Sequence, residues 1–570
     1  MPGGLLNIKA YGNQNIFIYG NPQKTYWTST YKRITNFGLQ NFRLDYEGLR
    51  QINLSSDSVF NFKIKRYADL LTDTMLVVTL PDIYSPIYPP TDCEQGSLYG
   101  WVPYEFKWIK NIGAQLIKRI RVSVGGALLQ EITGTQIIAL ANRDLNYTAK
   151  SKWDSMTGNV KELYDPANSY KRIDSYPNAI YTTSNTGAEP SIRSRQLFIP
   201  LPLWWCLNSQ QAFPLASLQY NELQIEITCR PIQELFQIRD VTDYDNNYPV
   251  IAPNFNITEH QFYRFIQTPP NPELNYTNTS TSVNMDVHLS CTYCFLDNAE
   301  QQVFVLKPQH YLIRELYETW FYNVSVTDKV WLQNSSGMVL NWMLLFQRSD
   351  VKSRNEWSNY TNWAYDYLPQ DITMLPRLME NSPCSTAYSF DLGNDVTLTV
   401  PAGTLGYGLN PNGNDTGLYS TGDFNSSNTK DILLNLGITF DGTYREEVRP
   451  SNIYKYQHQY LSSNGFGYNS LDGLYCYNFC LKTSPFDLQP SGSINLSQYS
   501  KIELEFTTIP PIVDPNANYL VICDPETGTQ IGVNKPTFQL YEYTFNLIVI
   551  EERYNILNFI GGNVGLEYAR

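Results

Sequence analysis

Alternation of apolar and polar side chains is the dominant pattern along this chain. Successive side chains of a β-strand point to opposite faces of a sheet, so a two-residue period marks a strand with one face in a core. The alternation occurs in six segments, which span residues 60–65, 119–124, 223–228, 396–400, 502–506 and 541–549. Gly125 and Gly126 follow the second segment, and adjacent glycines supply the positive φ angles of a tight hairpin turn.

Helical periodicity is rare by comparison. The best amphipathic segment runs from Thr135 to Leu145, with Ile138, Ala141 and Leu145 roughly on one face. Strands dominate both halves of the chain and are joined by long polar connections. This pattern predicts an all-β protein built from sandwiches of antiparallel strands.

The length of the chain predicts more than one domain. Its 570 residues exceed what one ordinary core organises. A polar stretch at 240–248 and a proline-rich stretch at 268–272 favour a boundary between Pro231 and Val287. The predicted division is therefore an N-terminal segment at 1–28, a first sandwich at 29–234, a linker or insertion at 235–284, and a second sandwich at 285–570 with long loops over 348–431.

Composition and charge exclude several classes of protein. Hydrophobic residues make up 42% of the chain and charged residues only 17%, which favours packed cores over disorder. The net charge is −13, and the densest basic patch, Lys118 to Arg121, alternates like one strand face, so direct nucleic-acid binding is not expected. No signal-like segment follows Met1 and no apolar run approaches the ~20 residues of a spanning helix, which predicts cytosolic synthesis without membrane insertion.

No residue pattern predicts catalysis, cofactor binding or metal binding. Cys291 and Cys294 have redox spacing, but their flanks are strand-like, so packing is the preferred interpretation, and the same holds for Cys476 and Cys480. None of the four histidines stands at ligand spacing from another histidine or a cysteine. The sequence lacks a G-x-S-x-G motif and a P-loop. The protein is therefore predicted not to be an enzyme.

Four short blocks follow one another in the first 37 residues. They are Gly3-Gly4-Leu5-Leu6, Ala10-Tyr11-Gly12, Gly20-Asn21-Pro22-Gln23-Lys24-Thr25 and Tyr31-Lys32-Arg33-Ile34-Thr35-Asn36-Phe37. In their order and spacing they resemble the opening of the double jelly-roll major capsid proteins of nucleocytoplasmic large DNA viruses.

Further blocks extend the resemblance along the chain. They lie at 112–126, 154–160, 201–206, 214–222, 294–301, 489–497 and 554–568. The most specific of them reads Pro-Leu-Ala-Ser-Leu-Gln-Tyr-Asn-Glu at 214–222. Gln301 occupies a position where the family usually has arginine. The resemblance therefore reaches from residue 3 to residue 568, and it is thin at 235–285 and at 348–431.

The resemblance implies a fold and a function. It implies two consecutive eight-stranded jelly rolls with few short helices, and a homotrimeric capsomer of pseudo-hexagonal outline that builds the icosahedral shell of a virion. The expected partners are neighbouring capsomers, penton proteins and minor capsid proteins, with the shell above an inner membrane. Residues 1–28 are expected at the capsomer base and the 348–431 loops at its outer top. Outer-loop glycosylation, known in some relatives, makes Asn359, Asn414 and Asn425 the candidate sites.

Two alternatives remain at this level. One is a paralogous minor or penton-associated jelly-roll protein, which abundance in purified virions would distinguish. The other is a carbohydrate-binding β-sandwich such as a lectin or fibre protein, which glycan-array binding by a monomer would favour. The aromatic cluster Trp101, Tyr104, Phe106 and Trp108 could form a glycan platform, although core and interface packing is the preferred interpretation.

Overall fold

A computed structural model gives the fold. The residues that it describes are 3–88, 102–172, 176–177, 179, 181–183, 187–240, 250–269, 276–366, 388–391, 397–400, 429–465, 471–511, 520–523, 530–534 and 543–568.

Eight strands in the first half of the chain form two antiparallel sheets. They are β1 (Phe37–Asp45), β2 (Ser58–Lys63), β3 (Leu70–Leu80), β4 (Ile117–Val124), β5 (Ala127–Thr133), β6 (Arg195–Pro200), β7 (Leu223–Cys229) and β8 (His288–Leu296). One sheet has the order β1-β8-β3-β6 and the other has the order β2-β7-β4-β5. The apolar faces of the two sheets share one core.

Eight strands in the second half repeat this arrangement. They are β9 (Gln309–Val324), β10 (Thr327–Trp331), β11 (Met338–Arg348), β12 (Leu433–Phe440), β13 (Thr443–Pro450), β14 (Leu474–Asn478), β15 (Ile502–Thr508) and β16 (Phe545–Ile560). Their sheets have the orders β9-β16-β11-β14 and β10-β15-β12-β13. If strands are counted within each half, both halves have the sheet orders 1-8-3-6 and 2-7-4-5, so the two domains share one topology.

The two domains also share an irregularity. Thr72 is skipped in the register between β3 and β8, and Leu340 is skipped in the same way between β11 and β16. A bulge of this kind adds one residue to one strand and increases the local twist. Because the bulges fall at the same place, Met75 of β3 corresponds to Met343 of β11.

The chain also forms short helices outside the two sandwiches. The α-helices are α1 (Gly4–Lys9), α2 (Asn13–Tyr19), α3 (Ile112–Leu116), α4 (Gly134–Asp144), α5 (Tyr147–Thr157), α6 (Lys161–Tyr164), α7 (Trp204–Leu207), α8 (Asn298–Leu306) and α9 (His458–Ser462). A π-helix at Ile453–Gln457 precedes α9 directly. The 3₁₀-helices are Pro166–Asn168, Ser209–Gln211, Leu215–Ser217, Ile232–Glu234, Thr258–His260, Phe262–Arg264, Val351–Ser353 and Leu496–Gln498.

Fourteen further short strands extend or flank the sheets in the described ranges. They are Ile87–Tyr88, Val102–Pro103, Phe106–Trp108, Tyr181–Thr183, Gly187–Ala188, Phe213–Pro214, Phe236–Arg239, Val250–Ile251, Tyr388–Asp391, Thr397–Val400, Ile494–Asn495, Leu520–Cys523, Gln530–Asn534 and Asn563–Leu566.

The fold confirms the predicted double jelly roll. All six alternating segments contain strands, although the last strand starts at Phe545 rather than at 541. Gly125 and Gly126 have φ angles of 57° and 85°, so they form the predicted hairpin turn. The predicted helix at 135–145 is α4, displaced by one residue.

The predicted boundary at residue 285 needs a correction. Strand β8, which the sequence division placed in the second domain, pairs with β1 and β3 of the first. The predicted linker at 235–284 is partly packed, since Phe236, Phe262 and Phe265 lie in the core of the first domain. Thr268-Pro269 of the proline-rich stretch follows this packed segment, and residues 270–275 lie outside the described ranges. The polar stretch also falls largely outside them, at 241–249.

Candidate functional surfaces at the domain seam and the N-terminal segment

Helix α4 joins the two domains. The Thr133 hydroxyl accepts a hydrogen bond from the Gln136 amide, and the Gln136 side chain accepts one from the Thr133 amide, which fixes the start of the helix directly after β5. Ile138 on one face enters the core of the first domain. Ala139 and Leu140 face the second domain instead. Both long sides of α4 are therefore buried within one chain.

The second domain meets α4 with the outer face of a sheet. Met343 and Leu345 of β11 and Ile548 and Ile550 of β16 are buried together with Leu140. Their strand neighbours point the other way, into the core of the second sandwich. This sheet is thus apolar on both faces, and α4 removes the outer face from water.

A buried ionic cluster closes one end of this seam. Arg143, at the end of α4, donates from Nη2 to Asp144 at 2.6 Å and to Glu552 at 3.0 Å. Its Nη1 donates to the Asn341 amide oxygen at 2.8 Å. Arg314 adds a second guanidinium at 3.3 Å from Glu552. Two cations therefore face two carboxylates, and the cluster joins α4 of the first domain to β9, β11 and β16 of the second.

Burial and charge act in opposite directions on the two carboxyl groups. Burial raises the pKa of Glu552, but the guanidinium groups of Arg143 and Arg314 outweigh it and hold that pKa below its usual value. Burial prevails at Asp144, whose pKa is raised although Arg143 opposes the shift. The pKa of Arg143 is raised by the two carboxylates against its own desolvation, so the guanidinium stays charged. Sequence analysis singled out none of these residues, and an adjacent Arg-Asp pair at a helix end is a weak signal by itself.

Residues 349–366, which we call the clasp, make a second group of contacts across the seam. Asp350 accepts hydrogen bonds from Arg348 at 2.6 Å and lies 2.8 Å from Arg354, and all three side chains are buried. Asn355 donates to the Phe236 carbonyl at 2.9 Å, and Trp357 donates to the Glu234 carbonyl at 2.9 Å. The clasp therefore holds the end of β11 against the first domain.

The clasp bears on one predicted glycosylation site. Asn359 is 2% exposed, and its amide donates to the Trp363 carbonyl at 2.9 Å. Thr361 of the same sequon donates to the Asn359 side-chain oxygen at 2.6 Å. A side chain in this position is closed to a modifying enzyme in the folded chain, so we do not retain Asn359 as a candidate. The prediction placed it in an exposed loop, whereas this part of the segment is packed. Asn414 and Asn425 lie outside the described residues.

The cysteines pack as expected. Cys291 and Cys294 lie in β8 and are buried, and burial raises the pKa of Cys291 to about 12. Cys476 lies in β14, where burial likewise raises its pKa to about 12, and Cys480 is also buried. A high pKa disfavours the thiolate that redox chemistry requires. Within the described ranges, no three His, Cys, Asp or Glu side chains come together as a metal site would need.

Residues 3–36, the described part of the chain before β1, are exposed except for the partly exposed Asn15. From here on we use the name N-terminal segment for these residues, which extend past the 1–28 division made from the sequence. Its helices α1 and α2 bury no residue. Phe17 is 92% exposed and Trp27 is 95% exposed. Large exposed apolar patches are typical of surfaces that bind another molecule. Among the helices that the structure describes, none is long and apolar enough to span a bilayer.

Residues 25–297 match a protein family described as the N-terminus of major capsid proteins. The chain is 24% identical to the major capsid protein of Phaeocystis pouchetii virus and 23% identical to that of Paramecium bursaria Chlorella virus 1, with each alignment covering 100% of both chains.

Solved capsid structures have a similar fold. A chain of the PBCV-1 virus capsid superposes with a TM-score of 0.56 at 18% identity, over 96% of this chain and 100% of that one. The Faustovirus major capsid protein gives 0.57 at 13% identity, over 97% and 96%. These comparisons confirm both the double jelly-roll fold and the resemblance to major capsid proteins of large DNA viruses.

Replacement of Arg143 by methionine should destabilise the chain by about 3–5 kcal/mol, because it leaves Asp144 buried without its cation and Glu552 with Arg314 alone. The control is Arg43→Met, which removes an exposed pairing with Asp286 at 2.5 Å and should cost at most about 1 kcal/mol. Urea denaturation followed by fluorescence measures both. Equal midpoints for the two variants would contradict a structural role of the buried cluster.

Acid should weaken the clasp. Arg354 and Arg348 outweigh burial and lower the pKa of Asp350, so its stabilisation is present above the unfolded pKa of about 3.9 and is lost as pH falls below it. Urea midpoints between pH 6 and pH 3 should therefore fall more steeply for the wild type than for Asp350→Asn. Parallel curves would show that Asp350 titrates alike in the folded and unfolded chains.

Proposed function

We propose that this chain, which aligns over its length with double jelly-roll major capsid proteins, is the major capsid protein of a large DNA virus. Three copies form a capsomer of pseudo-hexagonal outline, and capsomers tile the icosahedral shell. The observation that carries this proposal is the repeated topology of the two domains. Two similar domains per chain give a trimer six similar corners, so a trimer can occupy a position with sixfold neighbours.

The seam supports this role mechanically. An apolar sheet face, a buried ionic cluster and the clasp hold the two domains in one relative orientation. A building block of a closed shell needs such a fixed geometry, because angular errors at each corner would add up around a ring.

We propose the base of the capsomer as the place of the N-terminal segment. Its exposed apolar side chains would be covered there by minor capsid proteins, while penton proteins and neighbouring capsomers contact the flanks. The long loops of the 348–431 stretch, most of which lies outside the described residues, would form the outer top, with Asn414 and Asn425 as the sugar-bearing positions. Synthesis in the host cytoplasm and the lack of direct nucleic-acid contact belong to the same proposal.

We place the domain boundary after β8, within residues 297–308. The pairing of β8 with β1 and β3 supports this position, as does the family match that ends at residue 297. Helix α8 then forms the connection between the two jelly rolls.

The carbohydrate-binding alternative loses its main support. Tyr104, Phe106 and Trp108, three members of the proposed aromatic platform, are buried in the core of the first domain. Trp101 lies outside the described residues. The minor-capsid alternative is tested by the copy number of the protein in purified virions, where a major capsid protein must dominate.

The mass of the protein in solution tests the capsomer proposal. Purified protein should form a trimer of about 197 kDa, three times the chain mass of 65.5 kDa, because each copy leaves surfaces uncovered. Light scattering coupled to size exclusion measures it. A folded monomer at micromolar concentration, with or without co-expressed viral assembly factors, would contradict the capsomer proposal.

A deletion tests the proposed role of the N-terminal segment. Deletion of residues 2–24 should leave folded trimers and impair assembly into shells, since these side chains bury nothing within the chain. Electron microscopy of assembled particles and size exclusion of the free protein give the two readouts. The matched control, Lys9→Ser with Lys24→Ser, keeps the apolar side chains and should assemble. Aggregation of the deleted protein would instead place the segment in the folded core.

A further inference from the structure

The helix that follows β5 has a counterpart after β13. Both strands belong to hairpins, and both skip one residue next to the turn, Leu129 in the first domain and Arg445 in the second. At the far end of these hairpins, Thr133 pairs with Arg119 and Pro450 pairs with Asn435. Arg119 lies five residues before the end of β4, and Asn435 lies five residues before the end of β12. Thr133 therefore corresponds to Pro450, and α4 corresponds to the helical run at 451–462.

The two helices differ in what covers them. Arg143 and Asp144 of α4 are buried in the seam. In the second domain, Tyr460 and Leu461 lie at the same sequence distance from Pro450 as Arg143 and Asp144 from Thr133, with the π-helix at 453–457 intervening. Tyr460 is 76% exposed and Leu461 is 66% exposed. The second helix thus presents to solvent the face that the first one buries.

The sheets are equivalent in the same way. Val77 pairs with Phe198, as Leu345 pairs with Leu474 in the sheet that α4 covers. Phe198 is 38% exposed, and Met75, the counterpart of Met343, is half-buried. The outer face of β3 and β6 therefore carries apolar side chains at two seam positions, Met75 and Phe198. On the neighbouring strand β8, the polar residues His288 and Ser290 stand where the seam has Ile548 and Ile550.

We propose that these two faces meet between copies of the chain. Helix 451–462 of one copy docks on the outer face of β3 and β6 of the next copy and repeats the intrachain seam. This inference rests on the proposed capsomer and names its contact. A second copy is the occupant because the chain itself already joins the same two elements, a helix after the hairpin and an outer sheet face, in that relation.

The polar ends of the two faces are complementary. By the shared bulge, Asp73 corresponds to Asn341, which accepts a hydrogen bond from Arg143 in the seam. Asp73 is half-buried at the outer face, and its Oδ1 accepts the Thr74 amide. Tyr460, in the position of Arg143, brings a hydroxyl that can donate to this carboxylate.

The contact is head-to-tail, so each copy uses its second domain towards one neighbour and its first domain towards the other. A head-to-tail contact gives a closed ring when its rotation divides a full turn and a filament when it does not. In the proposed ring, the seam within each chain alternates with the seam between neighbouring chains, and the two seams have the same geometry. Three chains therefore supply six equal rotations, which together close the ring.

Charge placed on the helix tests the contact. Leu461→Asp should raise the trimer dissociation constant by at least about tenfold, since it places a carboxylate near Asp73 without the guanidinium that pairs with Asp144 in the intrachain seam. Phe198→Asp should do the same from the opposite face. Leu49→Asp is the matched control, because Leu49 is 77% exposed in the connection after β1, at the far edge of the sheet from β6. Circular dichroism checks that all three variants fold.

Cross-linking tests the geometry directly. The variant with Gln457→Cys and Phe198→Cys, whose counterparts Leu140 and Leu474 share one buried cluster, should give, after mild oxidation, a denaturation-resistant band of three chains, whereas either single variant and the wild type should not. If the wild type is trimeric but Leu461→Asp dissociates no more than the Leu49→Asp control and no cross-link forms, the inference is overturned and the capsomer proposal stands. If the wild type is monomeric, the capsomer proposal itself fails.

Discussion

The structure depends on one constraint, which is that the outer face of the larger sheet in the second jelly roll is apolar and has to be covered. An isolated sandwich needs only its inner faces to be apolar. In β11, however, every residue after Met338 is buried, so the strand has no solvated side. A sheet of this kind cannot stand alone in water, because its second apolar face must be covered. Helix α4 covers it, and the position of the first domain follows from that requirement.

This constraint also explains which strands the sequence could reveal. Alternation is clearest where one side of a strand is solvated. It marked β2, β4, β7 and β15, which belong to the sheets with a wetter outer side, and it also reached the start of β16, which is buried on both faces. It did not mark β3 or β11, whose apolar residues run consecutively through Met75-Leu76-Val77-Val78 and Met343-Leu344-Leu345-Phe346. Strands buried on both faces resemble any buried segment, so pattern alone could not place them.

The candidate surfaces were predictable to a smaller extent. The N-terminal segment that the sequence division set apart contains two helices that bury no residue. The resemblance to major capsid proteins, carried by short motifs, supplied the fold and the function that periodicity could not. The ionic cluster of Arg143, Arg314 and Glu552 was out of reach, because its members are up to 409 residues apart in sequence and only the folded chain brings them together. Asn359 shows the converse error, since a polar sequence was taken as exposed although its side chains are satisfied within the protein.

The exposed N-terminal segment has a consequence for the fidelity of the shell. In the proposed capsomer, residues 3–36, whose helices bury nothing within the chain, would lose conformational entropy when they dock on a partner. Each docking event is then weaker than its apolar area alone would suggest, and a misplaced capsomer, which covers only part of the segment, dissociates readily. A reversible step of this kind allows errors to be corrected during growth, whereas a segment ordered in advance would trap each mistake where it formed.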